Sequence, residues 1–206
     1  MADLLSWPSP GPSPSASLAS VWEIASPRTP VAFWELEQQV QLTAGKVADQ
    51  ILGHHLSQLH QDPDFVTGAI TQVRATSPTA LVYKGRRCLS VLLSGGTRVV
   101  VETPYFRPKP EKKPGRKRTR RGPKGVGRYP VLEAVGIRDG VSPATRSQLA
   151  LYMVQAGSYQ EAIVLLSERG WSVDPSTLSR VARCTAQADI RLREAALATA
   201  RAVPIA

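Results

Sequence analysis

Eleven cationic side chains are crowded into one short tract: Arg107, Lys109, Lys112, Lys113, Arg116, Lys117, Arg118, Arg120, Arg121, Lys124 and Arg128, opposed by a single acid, Glu111. The chemistry open to such a run is neutralisation of a polyanion, since each Lys or Arg set on a nucleic-acid phosphate releases condensed counterions. The chain carries 26 basic and 16 acidic residues for a formal charge of +10, so outside the tract 15 bases and 15 acids cancel. The surplus is therefore local, which favours a polyanionic partner over general solubility. A solvated charge run is the bland alternative, and a nuclear-import signal is another if the host is eukaryotic. Contacts of this kind set affinity, and an Arg-rich extension can follow the backbone or enter a minor groove, but neither carries much sequence information.

A second constellation can supply that information. Ser176, Thr177, Ser179, Arg180 and Arg183 follow Asp174-Pro175, and at helical spacing they are expected to point outward while Leu178 and Val181 turn inward. Arg180 and Arg183, three apart, share a face from which either reaches a phosphate or the O6 and N7 of guanine, and Ser or Thr can bond phosphates or base edges.

Covalent chemistry finds less support. Glu133, Asp139, Glu161, Glu168, Asp174, Asp189 and Glu194 lie mostly in helical stretches and form no strand-borne pair of the kind a metal-dependent nuclease uses. Gly122-Pro123-Lys124-Gly125-Val126-Gly127 lacks the Lys-Ser/Thr and the following helix of a phosphate loop. His54, His55 and His60 share one helical stretch, where adjacent residues point about 100° apart and do not readily share a metal. Cys88 and Cys184 are far apart and read as small buried hydrophobes. The expectation is a chain that is no enzyme as given, with no catalytic residues, no metal site and no cofactor.

The elements that must position these groups come next. Residues 1–28, with Trp7-Pro8-Ser9-Pro10-Gly11-Pro12-Ser13-Pro14, read as a disordered tail rather than a ligand for proline-binding domains. Residues 29–76 read as a helical hairpin. Thr29-Pro30 and Asp62-Pro63 are start signals, Leu36, Val40, Val47 and Ile51 mark the first helix to about Leu59, weakened at Gly45, and Val66, Ala69, Ile70 and Val73 mark the second, ended by Ser77-Pro78. Its helices can pack on each other or dimerise. Residues 80–106 read as a small antiparallel sheet of strands 81–83, 88–93 and 97–101, with positive-φ residues supplied by Ser94-Gly95-Gly96. The tract 107–128 is too rich in proline and glycine for a helix and reads as a flexible basic arm.

Residues 129–206 read as a helical, DNA-binding domain. Ser142-Pro143 opens a helix with Leu149, Tyr152 and Met153 inward that ends at Ala156-Gly157, and Ser158-Tyr159-Gln160-Glu161 is a capping box before Tyr159, Ala162, Ile163 and Leu166. Gly170 ends that helix and Asp174-Pro175 starts another, which together resemble a helix-turn-helix. The linker Arg169–Asp174 is longer than the usual turn, and an ordinary three-helix bundle is the alternative. The fold class expected is mainly α with a small antiparallel β hairpin or sheet, a C-terminal helix-turn-helix bundle, a disordered N-terminus and a basic loop. No apolar run is long enough to span a bilayer and the N-terminus lacks the features of a secretory signal, so the expected location is the cytoplasm, in association with the nucleoid.

The strand Thr97–Tyr105 leading to Phe106-Arg107, then Leu132-Glu133-Ala134-Val135-Gly136-Ile137, Ser142-Pro143, and Ser158-Tyr159-Gln160-Glu161-Ala162 running to Ser176-Thr177-Leu178-Ser179-Arg180, resemble the N-terminal part of transposases of bacterial insertion sequences of the Kra and Lre types. The resemblance covers roughly residues 80–203. In that family cysteine pairs suggestive of a zinc knuckle usually follow the strand; 107–128 contains no cysteine, so zinc is not carried over. The family continues into a nuclease domain whose three carboxylates hold two metal ions, and Ala206 falls near where that domain is expected to begin. The resemblance implies DNA, in particular transposon ends, as partner, and a role as the recognition part of a DDE-type transposase or as a truncated or split product of one. The alternative from another class is a non-catalytic assembly or interaction subunit whose helices 30–75 dimerise or dock, with the basic arm on RNA or an acidic protein.

Overall fold

The computed structural model describes residues 27–109 and 127–202, with side chains to 197, and two isolated positions nearer the N-terminus. The fold is mainly helical with one two-stranded antiparallel sheet, and it divides into two compact units between Ser142 and Pro143. The expected boundary at 129 therefore moves, because residues 129–142 build the core of the first unit.

That unit opens with helix α1 (Pro30–Gln61), whose N-cap Thr29 accepts the Ala32 amide at 3.1 Å ahead of the proline. Asp62 closes α1 by donating its amide to Gln58 O and opens α2 (Pro63–Thr76) by accepting the amides of Asp64 and Phe65 at 3.0 and 3.1 Å. One acidic residue thus serves both ends, as an Asx cap before N1 proline can. Strands β1 (Leu81–Leu92) and β2 (Arg98–Pro108) form the hairpin. β1 is one strand, not two: its register slips between Tyr83 and Arg86, where Gly85 adopts φ +87°. A bulge of this kind absorbs Lys84-Gly85 without ending the pairing.

The one-turn helix α3 (Pro130–Ala134) ends on Gly136 at φ +74°, with Ile137 N donating to Leu132 O and Gly136 N to Glu133 O. This paired closure brings Leu132 and Ile137 together, and both enter the core with Leu56, Val91, Leu93 and Val101. The chain then runs along the hairpin edge, Leu92 N donating to Gly140 O at 2.8 Å and Ser142 N to Leu92 O at 3.1 Å.

The face of α1 that packs is not the apolar stripe. Its buried residues are Asp49, Gly53, Leu56 and His60, while Val40 and Ile51 face water. A side chain at Gly53 would press on Val99, and one at Gly95 would overlap the Gly45 carbonyl. Helix and hairpin turn touch glycine to glycine, and of the two turn glycines only Gly96 needs a positive φ, +87°. Cys88 is exposed and Cys184 half-buried, so neither is the core residue expected from its type.

The second unit contains α4 (Pro143–Gln155), α5 (Tyr159–Glu168) and α6 (Pro175–Ala202). Ser158 Oγ accepts the Glu161 amide at 3.1 Å, and Glu161 reaches back to the Gly157 amide at 2.8 Å, one residue earlier than a standard capping box. At the other end of α5, Trp171 N donates to Leu166 O and Gly170 N, at φ +74°, to Ser167 O. Trp171 and Leu166 are both buried, as are Leu149, Ala162, Val173, Leu178 and Val181 of the same unit. The long linker thus belongs to the core through Trp171 and Val173. Tyr159, expected inward, is exposed at the first helical position.

Candidate nucleic-acid interface

The basic tract leaves and re-enters the first unit at one place. Lys109 N donates to Ala80 O at 2.7 Å, and Phe106 pairs with Arg128 through reciprocal amide–carbonyl bonds of 2.9 and 2.8 Å. Of the tract's basic residues, Arg107 and Lys109 are exposed at its exit. Lys112, Lys113, Arg116, Lys117, Arg118, Arg120, Arg121 and Lys124 lie outside the described residues.

Arg128 has a different task from the one its place in the tract suggests. Its Nε donates to Glu133 Oε1 and Oε2 at 3.2 and 3.0 Å, Nη2 pairs with Oε2, and Nη1 donates to Val73 O at 3.4 Å. Glu133 Oε1 also accepts the Tyr129 amide at 3.2 Å. The hydrogen bonds to Glu133 raise the Arg128 pKa against the cost of partial burial. The guanidinium clips α3 to the end of α2, which leaves it little freedom to meet a phosphate.

Replacing it are residues the charge run did not include. The hairpin register sets Val82 against Arg107 and Arg86 against Pro104, so Lys84, Arg86 and Arg87 on β1 lie beside Arg107 and Lys109 at the open end of the hairpin, all exposed. Arg87 sits 3.9 Å over the Tyr105 ring, and Arg74 on α2 lies 5.5 Å from that of Phe106; both contacts are of cation–π type. Glu102 lies 3.7 Å from Arg86, but the pair is exposed and contributes little. Lys84-Gly85-Arg86-Arg87 interrupts the apolar alternation and so reads as a gap between strands; recognising a glycine bulge there would have joined the strands and found the cluster.

In the second unit α6 sorts its candidate side chains. Leu178 and Val181 are buried and Arg183 is exposed, as the helical period requires. Thr177 is not outward: it is buried, donating its hydroxyl to Asp174 Oδ2 at 2.8 Å and its amide to Oδ1 at 2.9 Å. Ser176 is exposed but its hydroxyl also bonds Asp174, and Ser179 and Arg180 are half-buried. The hydroxyl of Ser176, then the hydroxyl and amide of Thr177, hold the Asp174 carboxyl well below the usual carboxylate range. Arg191, exposed and two turns beyond Arg183, extends the same outward side.

Other chemistry is sparse. Among the described residues no group of three or more His, Cys, Asp or Glu side chains is arranged to hold a metal ion, and no helix is long and apolar enough to cross a membrane. His54 and His55 are exposed, whereas His60 is buried and donates Nδ1–H to Leu56 O at 2.7 Å. An open cleft of about 410 Å³ lies where α2 meets β1, lined by Arg74 and residues 77–81. Comparison of the chain with known protein families, with curated proteins and with solved structures finds no match.

Proposed function

We propose that the chain binds DNA, as the recognition part of an insertion-sequence transposase or a truncated or split product of one, acting at the nucleoid without catalysing strand transfer itself. The observation that carries this reading is the convergence of charge at the open end of the hairpin. Both ends of the basic tract are tied beside Lys84, Arg86, Arg87, Arg107 and Lys109, so charges from separate sequence segments make that end of the hairpin a cationic surface, with Arg86 and Arg87 on its opposite faces. Such a surface neutralises several phosphates at once and fixes the protein on the backbone, with affinity that falls steeply with salt. Base reading falls to the outward side of α6, where Arg183 is exposed and Arg180 partly so, a guanidinium pair suited to guanine edges.

Electrophoretic mobility shift across a salt series, using terminal inverted repeats of a Kra- or Lre-type element and scrambled duplexes of equal length, tests the reading. The expected result is binding to both at low salt, with the repeats retained longer as salt rises. Equal retention removes the claim of sequence recognition. Indifference to every duplex in dilute buffer removes DNA binding altogether, and preference for single-stranded RNA transfers the cationic surface to another polyanion.

A further inference from the structure

Helix α1 is 32 residues long, yet its buried residues begin only at Asp49. No residue from Pro30 to Ala48 is buried, and ahead of the Gly45–Gly95 contact about four turns, Pro30 to Ala44, stand without a covering partner among the described residues. A helix segment of that length is marginal in water without tertiary contacts. Phe33, Leu36, Val40, Val47 and Ile51 lie within about 60° of one another around its axis. Phe33, Val40 and Ile51 are 53%, 44% and 48% exposed, and Leu36 and Val47 are partly so. Asp49, which faces the hairpin turn, is nine residues from Val40, about half a turn round the helix. The stripe therefore points away from the body of its own unit, and a partner laid on it does not collide with the hairpin.

The stripe has nearly the same spacing from either end. Phe33 and Ile51 are equidistant from Leu42, Val40 and Ala44 likewise, and Leu36 and Val47 agree within one residue. A two-fold interface requires this kind of self-complementarity. Charge selects the direction. From Pro30 to Gly45 the charged residues are Glu35 and Glu37, and Lys46 follows. An antiparallel copy lays the acidic half beside the half bearing Lys46, whereas a parallel copy sets the acidic halves side by side.

We propose that a second copy of this chain covers the stripe, as an antiparallel pair of α1 helices about a two-fold axis at the level of Leu42, passing on the side of Val40 and Ala44. This inference does not depend on DNA binding. Sedimentation equilibrium of the nuclease-treated full chain is expected to give twice the 22.3 kDa chain mass. Val40→Glu with Val47→Glu is expected to halve that mass while the cooperative unfolding of the hairpin unit persists. In a Cys88→Ser, Cys184→Ala background, an equimolar mixture of Phe33→Cys and Ile51→Cys chains is expected to form chiefly the mixed disulfide on mild oxidation. A monomer at every loading concentration, which is what coverage by residues 1–26 or by another protein gives, overturns the proposal. So does a dimer that survives both glutamates, and a predominance of like-with-like disulfides overturns the antiparallel register.

Discussion

Asp49 on α1 holds the hairpin turn at Gly95: its fully buried carboxylate accepts the Gly95 amide at 2.8 Å through Oδ1 and the Thr97 amide at 2.7 Å through Oδ2. Two amides that β pairing leaves over are satisfied by one side chain 46 and 48 residues away. Asp49→Ala strands both donors and is expected to destabilise the first unit by about 2–4 kcal/mol, taking a net loss of 1–2 per charge-assisted bond. Asp49→Asn offers a single acceptor oxygen and is expected to recover less than half of that. Urea unfolding of the three proteins measures both.

The basic residues divide into those that bind and those that hold the fold. Lys84→Ala, Arg86→Ala and Arg87→Ala are each expected to weaken binding to every duplex alike and to lower the slope of log affinity against log salt by about one, leaving the melting temperature nearly unchanged. Arg128→Ala is expected to do the reverse. Freeing half-buried Glu133 and the Val73 carbonyl costs about 1–2 kcal/mol of stability, and the salt slope stays within error. Fluorescence anisotropy titrations at several salt concentrations, with thermal melts alongside, separate the classes.

Within α6 the same division falls between Thr177 and Arg183. Thr177→Ala removes one hydroxyl bond to Asp174 and is expected to cost about 1 kcal/mol without altering preference for one duplex over another. Arg183→Ala is expected to leave stability alone and to reduce discrimination between specific and scrambled duplexes by about 1–3 kcal/mol if the guanidinium reads a guanine. Competition binding with both duplexes supplies the comparison.

His60 supplies a pH dependence of stability. Burial, reinforced by the positive charge of Arg86, lowers its pKa below the ordinary 6.5, against the opposing effect of its bond to Leu56 O. The folded state thus disfavours the proton that the unfolded chain accepts. The stability tied to neutral His60 is complete above pH 6.5 and declines as pH falls from there towards the depressed folded value. Below that value the loss stops growing. His60→Gln is expected to flatten this window in a series of urea titrations; an unchanged slope assigns it to other groups.

Where a structural cause is local in sequence, it is legible there. Thr29-Pro30, Asp62-Pro63 and Asp174-Pro175 each precede a helix because a short polar side chain and a fixed φ act within four residues. Gly170 likewise marks the end of α5. The packed side of α1 was illegible for the opposite reason: its contacts are made by Asp49, His60 and two glycines, Gly45 and Gly53, types that carry no apolar signal, and Leu56 is its one large apolar side chain that is buried. An apolar period normally marks the buried face, and here it marks the uncovered one. Arg128 misleads similarly, since it closes a run of cations in sequence and its partner, Glu133, becomes adjacent only when α3 forms. For the candidate interface, the tract itself was evident from charge counting, whereas Arg86 and Arg87 join it only through the register of a bulged strand.

The Phe106–Arg128 bridge and the core positions of Leu132 and Ile137 make residues 127–142 a non-covalent part of the hairpin. A protease cut anywhere between Lys109 and Gly127 would therefore yield two polypeptides that stay docked in native buffer and separate only in denaturant. The first unit is expected to behave as a fragment-complementation pair encoded in one piece.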